Sequence, residues 1–256
     1  MSAALAVDTY KRRAMLSAST ANFLLPPAGS IIAAIIFWRL KEATENGRLH
    51  SETYKTLNIG IALYSTFTLA AYLRSFPFLG ASGCAVHVYN VVISLYGWVV
   101  GCQGVNYTAK VSSEAIDWSL LSQSFAVMLK NAFKTMTDVS KLNKTFPYLI
   151  TFLFCQLGLV HDIVMLKVKG LSDASYVSMK LFSLGRFVIA GKTALVLKSA
   201  GDRDRLQGTT FRALNVGLGV LLASAVIPSI ELGRKGFAAT SAVLGAAALL
   251  NAKKEE

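Results

Sequence analysis

Cysteine, histidine, proline and acidic side chains are all scarce in this 256-residue chain, and each shortage removes a class of function. The three cysteines, Cys84, Cys102 and Cys155, stand singly inside apolar runs with no CxxC pair. That argues against a disulfide framework or a thiolate metal site and leaves them as buried thiols. No GxSxG, HExxH, Walker A or in-context GxGxxG occurs, and the scattered acidic residues form no catalytic pair, so a non-enzymatic protein is expected. Charged residues make up only 16% of the chain, with 26 Lys and Arg against 14 Asp and Glu. The basic residues sit singly at the ends of apolar runs rather than in dense tracts. This charge of +12 therefore points to anionic lipid headgroups and away from nucleic acid.

Apolar residues are what the chain has in plenty, 54% of the total. A soluble domain of this size rarely needs so much apolar surface. Several runs approach the ~20 residues that a helix requires to cross a hydrocarbon core. They lack the alternation of barrel strands, so helices are the expected spanning elements. The fold class is therefore all-α: one polytopic helical membrane domain over residues 1–256, with about five to seven membrane-associated segments by the same length criterion. Residues 1–21 form a polar, basic N-terminal segment. Its charges follow the mildly apolar stretch, the reverse of a secretory signal. Lys11, Arg12 and Arg13 match the composition of a mitochondrial presequence, with Asp8 against it.

The expected spans cover residues 22–38, 57–73, 82–104 and 147–166, with further apolar stretches at 211–232 and 237–250. Pro26 and Pro27 are placed to begin the first helix, Arg39 and Lys41 to stop it, and KEATENGRLHSETYK to act as a connector. Gly97 and Gly101 have the small-xxx-small spacing that lets two helix backbones approach, within the chain or between copies of it. The stretch 180–198 is apolar in content but carries Lys180, Arg186, Lys192 and Lys198, which at six-residue steps fall on different sides of a helix. A charge at a span's centre costs about 2.5–3.5 kcal/mol on insertion scales. The segment is therefore expected to be tilted, interfacial or shielded by partners.

Between residues 105 and 145 the chain turns polar, yet Trp118, Leu121, Phe125, Met128, Leu129, Ala132, Phe133 and Met136 recur at three- and four-residue steps. This predicts an amphipathic surface helix, capped by Ser112 or Ser113, with Lys130, Lys134 and Lys141 in its later part. It would lie at the membrane surface or pack on the bundle.

LGLVHDIVMLKVKGL, from Leu157 to Leu171, sets His161 beside Asp162 at the end of an apolar run and leaves through Lys167 and Lys169. If the third and fourth spans are antiparallel, His87 and His161 lie at similar depth, roughly 8–11 Å inside one membrane face. Two facing imidazoles would suit axial ligation of a b-type haem, and no other cofactor or metal is suggested. The alternative is that His161 and Asp162 bond neighbouring helices or reach for headgroups beside the lysines. Arg186 and Pro228 would be the polar and broken-helix features of a transporter. A subunit of a larger organellar membrane complex, in a mitochondrial inner or thylakoid membrane, would use the same charges and glycines as partner contacts.

The run LITFLFCQLGLVHDIVMLKVKGL, the basic segment MKLFSLGRF and the small-residue ending VLGAAALLNA follow the element order of another group. In these features the second half resembles the peroxin-11 family of peroxisomal and glycosomal membrane proteins. The first half departs, with three strongly apolar runs in place of a basic amphipathic opening. The resemblance implies a non-enzymatic role in shaping, elongating and dividing an organelle membrane. A homo-oligomer or a larger membrane complex is expected as partner, together with anionic lipid headgroups. Trp118 to Met136 would then be the wedge, and Lys167, Lys169, Lys180, Arg186, Lys192 and Lys198 the headgroup anchors.

Overall fold

The structure, a computed structural model, describes residues 28–75, 81–104, 117–164, 173–231 and 233–253. Pro26, Pro27, Ser112, Ser113, Lys167 and Lys169 lie outside them. Among the described residues every element is a helix and there is no strand. The elements are α1 (28–45), α2 (Glu52–Ser75), α3 (Ala81–Gln103), α4 (Trp118–Thr137) and α5 (Leu142–Val164), followed by α6 (Asp173–Asp202), α7 (Thr209–Ala223), α8 (Val226–Glu231) and α9 (Lys235–Lys253).

Four stretches are long and apolar enough to cross a membrane: Glu52–Arg74, Gly83–Gln103, Leu142–Val164 and Thr209–Glu231. They match the expected second, third and fourth spans and the first of the two C-terminal stretches. The last of the four is not one straight helix. Pro228 has no N–H to give to the carbonyl four residues back, which is that of Ser224, and its ring crowds that carbonyl. The chain turns at Ser224–Ala225, where α7 ends and α8 begins.

The connector expected after the first span is much shorter than its polar composition suggested. Helix α1 continues through Arg39 and Lys41 to residue 45, held by the Arg39–Glu42 and Lys41–Glu45 pairs, and α2 starts at Glu52. Charges in i,i+3 and i,i+4 register support a helix rather than stop it.

The helices form a row in the order α3, α2, α6, α5, with α7 and α9 stacked against α6 and α5. Helix α1 fits between α2 and α7: Gly29 faces Tyr64 on α2, and Ile32 and Ile35 face Gly217 on α7. The core runs through Ile32, Ile36, Leu57, Ile61, Tyr148, Ile189, Leu197, Leu214, Leu218 and Leu221. Helices α7 and α9 bring their backbones together at two glycines. A Cβ on Gly219 would stand 3.0 Å from the Gly245 carbonyl oxygen, and one on Gly245 would stand 3.2 Å from that of Gly219. Without a strong hydrophobic force between helices in lipid, such close backbone approach is a main source of helix association.

Helix α6 is the centre of the assembly. Its thirty residues contact α2, α5 and α7, and it buries Met179, Phe182, Phe187, Ile189, Ala194 and Leu197. It is not among the four apolar spans, because its four basic residues break every apolar window. Neighbouring helices shield it, one of the three outcomes expected from its charges.

Candidate functional site

Helix α4 begins at a side-chain cap. Asp117 caps it, accepting hydrogen bonds from the backbone N–H of Ser119 at 2.9 Å and Leu120 at 3.1 Å. The start therefore falls at Asp117, later than the expected Ser112 or Ser113. An Asp one residue before the first apolar position satisfies the unpaired first-turn donors directly, and its charge suits the helix N-terminus. The bonds to Ser119 and Leu120 hold its carboxyl below the ordinary aspartate range.

The apolar stripe of α4 divides into two flanks. Leu121 and Met128, two turns apart, are buried against the bundle. Trp118, Phe125, Leu129 and Phe133 are exposed, Trp118 by 74% and Phe133 by 66%. Lys130 and Lys134 are also exposed, on the polar side. Along its length the helix touches the row one member at a time. Phe125 meets Trp98 of α3 edge-on at 6.4 Å. Met128, Asn131, Ala132 and Thr135 then share a cleft with Glu52 and Thr56 of α2, with Leu195 and Ser199 of α6 and with Arg203 just past its end. Just past its end, the Asp138 carbonyl accepts a 2.8 Å bond from Lys198 Nζ. All these partners lie within about two turns of the ends of α3, α2 and α6. Helix α4 therefore lies across the row at one end of the bundle, at the level where the spanning helices finish.

The connections on this end are tied together by charge. Lys198 is 1% exposed and bonds both Asp138 O and the Asp202 carboxylate, the latter at 3.0 Å. Lys141 and Lys144 pair with Asp204, at 3.1 Å for Lys144, joining the start of α5 to the α6–α7 turn. These bonds, led by the one from Lys141, hold the Asp204 carboxyl below its ordinary value.

The opposite end answers the puzzle of His161 and Asp162. Asp162 is 1% exposed and turned into the bundle. It accepts hydrogen bonds from Ser183 Oγ on α6 and, at 2.9 Å, from the Arg234 guanidinium just before α9. Its neighbour His161 stays half exposed, with Nδ1 3.1 Å from the same carboxylate. Lys180 Nζ donates to the Ile163 carbonyl at 2.8 Å and so closes the C-terminus of α5. Arg186 is buried, within electrostatic reach of both Asp162 and Arg234.

These positions correct the expected set of headgroup anchors. Arg186 and Lys198 are buried in the bundle, and Lys192 packs its stem against Gly60 of α2. The alkyl stems fill helix–helix contacts, and the Asp202 carboxylate and the Asp138 carbonyl meet the charge of Lys198, an arrangement lipid favours over leaving a cation in hydrocarbon. Lys180 serves the end of α5.

The two histidines are not brought together. His87 is buried on α3 between two α2 tyrosines, edge-on to Tyr64 at 5.9 Å and stacked on Tyr72 at 5.7 Å. The main packing partners of α3 are α2 and α4, and those of α5 are α6 and α9, so α2 and α6 stand between the residues meant to share a haem. Gly97 and Gly101 pack within the chain: a Cβ on Gly97 would be 3.1 Å from Asn58 Oδ1, and one on Gly101 would be 2.8 Å from the Leu49 carbonyl. Sequence reasoning missed Asp162 as the buried member of its pair and missed Arg234 altogether. The hint at Arg234 is the basic pair Arg234-Lys235 after Gly233, between two apolar runs. Protein-family models, curated proteins and solved structures were all compared with this chain, and none matches it.

Proposed function

We propose that this protein is a non-enzymatic membrane-shaping protein in which α4 lies in the headgroup layer and expands one leaflet. The observation that carries the reading is the placement of α4 across the ends of the row with Trp118, Phe125, Leu129 and Phe133 exposed. In water that surface would be a liability, whereas between acyl chains and headgroups it is satisfied. Tryptophan and tyrosine favour this depth in membrane proteins generally. Lys130 and Lys134 on the polar side face anionic headgroups. A helix anchored to a spanning bundle cannot leave the leaflet it has entered, so its volume acts on one side only. The resemblance of the second half to the peroxin-11 family makes a peroxisome or glycosome the favoured organelle, with elongation and division as the outcome.

The test is the double change Trp118→Asp with Phe125→Asp. Two carboxylates in the exposed flank make insertion into the acyl boundary unfavourable, while α2, α3, α5 and α7–α8 keep their hydrophobicity. The expected result is normal membrane residence with enlarged, undivided organelles when the variant is the only copy. Normal organelle number and shape would show that α4 is packing or a partner contact only.

A further inference from the structure

The cleft between α4, α2 and α6 is lined by polar groups that the protein leaves unbonded. Elsewhere in the bundle helical threonines return their hydroxyls to the carbonyl four residues back, as Thr66, Thr68, Thr151 and Thr193 do. Thr53, Thr56, Thr135, Ser199 and Asn131 line the cleft, and among the described residues none of these side chains makes a hydrogen bond. Thr56 is only 8% exposed, so its hydroxyl depends on whatever fills the cleft. Glu52 stands on the α2 side. Its Oε1 lies 3.3 Å from Lys55 Nζ, whereas Oε2 is buried with no hydrogen-bond partner. Arg203 lines the cleft from just past the end of α6 and makes no ion pair among the described residues. Its neighbours Asp202 and Asp204 are already taken, by Lys198 and by Lys141 and Lys144. A carboxylate oxygen and a guanidinium thus share one cleft without pairing with each other. The space is about 370 Å³ counted out to its open mouth, the size of a small-ligand site.

We propose that this cleft binds a phosphoethanolamine diester, as carried by phosphatidylethanolamine, with the ammonium on Glu52 and the phosphate on Arg203. A primary ammonium has three N–H donors for Glu52 Oε2 and the hydroxyls of the cleft, and a guanidinium can give two parallel bonds to a phosphate. Choline has no N–H and is held by aromatic faces, of which the cleft has none among the described residues. A glycerol headgroup keeps the phosphate but brings no charge to Glu52. Met128, Leu195 and Val196 supply the apolar wall against which the glycerol and first acyl carbons rest. Delivery of the lipid depends on the shaping reading in one respect: the bundle end that carries α4 must lie among the headgroups.

The experiment uses the full chain in phosphatidylcholine nanodiscs, with phosphatidylethanolamine or phosphatidylglycerol added to the lipid, or water-soluble glycerophosphoethanolamine added to the buffer. Native mass spectrometry should show saturable retention of one phosphatidylethanolamine per chain, about tenfold or more in preference to phosphatidylglycerol. Glu52→Gln should weaken binding by roughly 10- to 100-fold, the range for a lost charged hydrogen-bond partner, and abolish that preference. Arg203→Gln, at an exposed position that the fold does not depend on, should lose about as much. Binding of the soluble diester without retention of the lipid would support the cleft and take α4 out of the headgroup layer, which separates the two readings. The proposal is overturned if neither form binds saturably, if phosphatidylglycerol is retained as well as phosphatidylethanolamine, or if either variant binds as tightly as the wild type.

Discussion

Helices α3 and α6 invert what a soluble protein would do with them. Helix α3 is free of acidic and basic residues apart from His87, yet only 22% of its spanning window is buried, and Val86, Val88, Tyr89, Val92 and Leu95 face outward. Helix α6 carries Lys180, Arg186, Lys192 and Lys198, yet it is the helix the others surround. In water the apolar helix would be drawn inside. Lipid is as apolar as leucine, so burying α3 gains little, whereas the surrounding helices keep the cations of α6 out of the hydrocarbon. For these two helices polarity, not hydropathy, selects the interior position.

If that inversion is right, the largest loss should come from unpairing the interior of α6. Asp162→Ala leaves the Arg234 guanidinium without its carboxylate, and breaking a buried pair by removing one partner costs about 3–5 kcal/mol. Reversible unfolding in mixed micelles measures it. A loss below about 1 kcal/mol, the worth of an exposed pair, would mean that the cluster is wet and the interior is not selected by polarity.

The next effect tests the outer helix. Val92 stands at the middle of α3 and is 58% exposed, so in water Val92→Arg would be close to neutral. Facing lipid, it should cost about 2.5–3.5 kcal/mol in insertion. Glycosylation-site mapping of the α3 crossing in microsomes reads that cost as a fall in the inserted fraction. Full insertion of the variant would place that face of α3 against protein or water.

The smallest effect belongs to the exposed clamp at the α4 end. The Asp204 carboxyl is held below its ordinary value of 3.8, first by the bond from Lys141 and then by that from Lys144. A depressed carboxylate contributes stability that is fully present above its unfolded value and is lost as pH falls through the folded one. The contribution should therefore persist at neutral pH and disappear below about pH 3.8. Asp204→Asn should remove this acid-dependent component and change stability little otherwise, as for most surface pairs. Acid titration of the unfolding midpoint compares the two proteins, and identical pH slopes would show that the clamp carries no linkage.

Length and hydropathy in the sequence determined the all-helical class and the four apolar spans, because a helix must satisfy its own backbone in lipid and needs enough apolar residues to cross. The stripe of α4 was equally legible, since Trp118, Leu121, Phe125, Met128 and Phe133 lie on one side of any helix through them. Which part of that stripe faces the bundle was not, because it depends on how α4 crosses α3, α2 and α6. The fate of the charged residues was also decided by tertiary structure alone. Arg186 and Lys198 read as surface anchors until the neighbouring helices close over both and the Asp138 carbonyl and Asp202 carboxylate are brought to Lys198. His87 and His161 share a depth along two spans but not a neighbour, since depth is a property of each helix and adjacency a property of the row. Gly219 and Gly245 follow the same rule: a small residue permits close approach, but only the partner helix determines whether the approach is made.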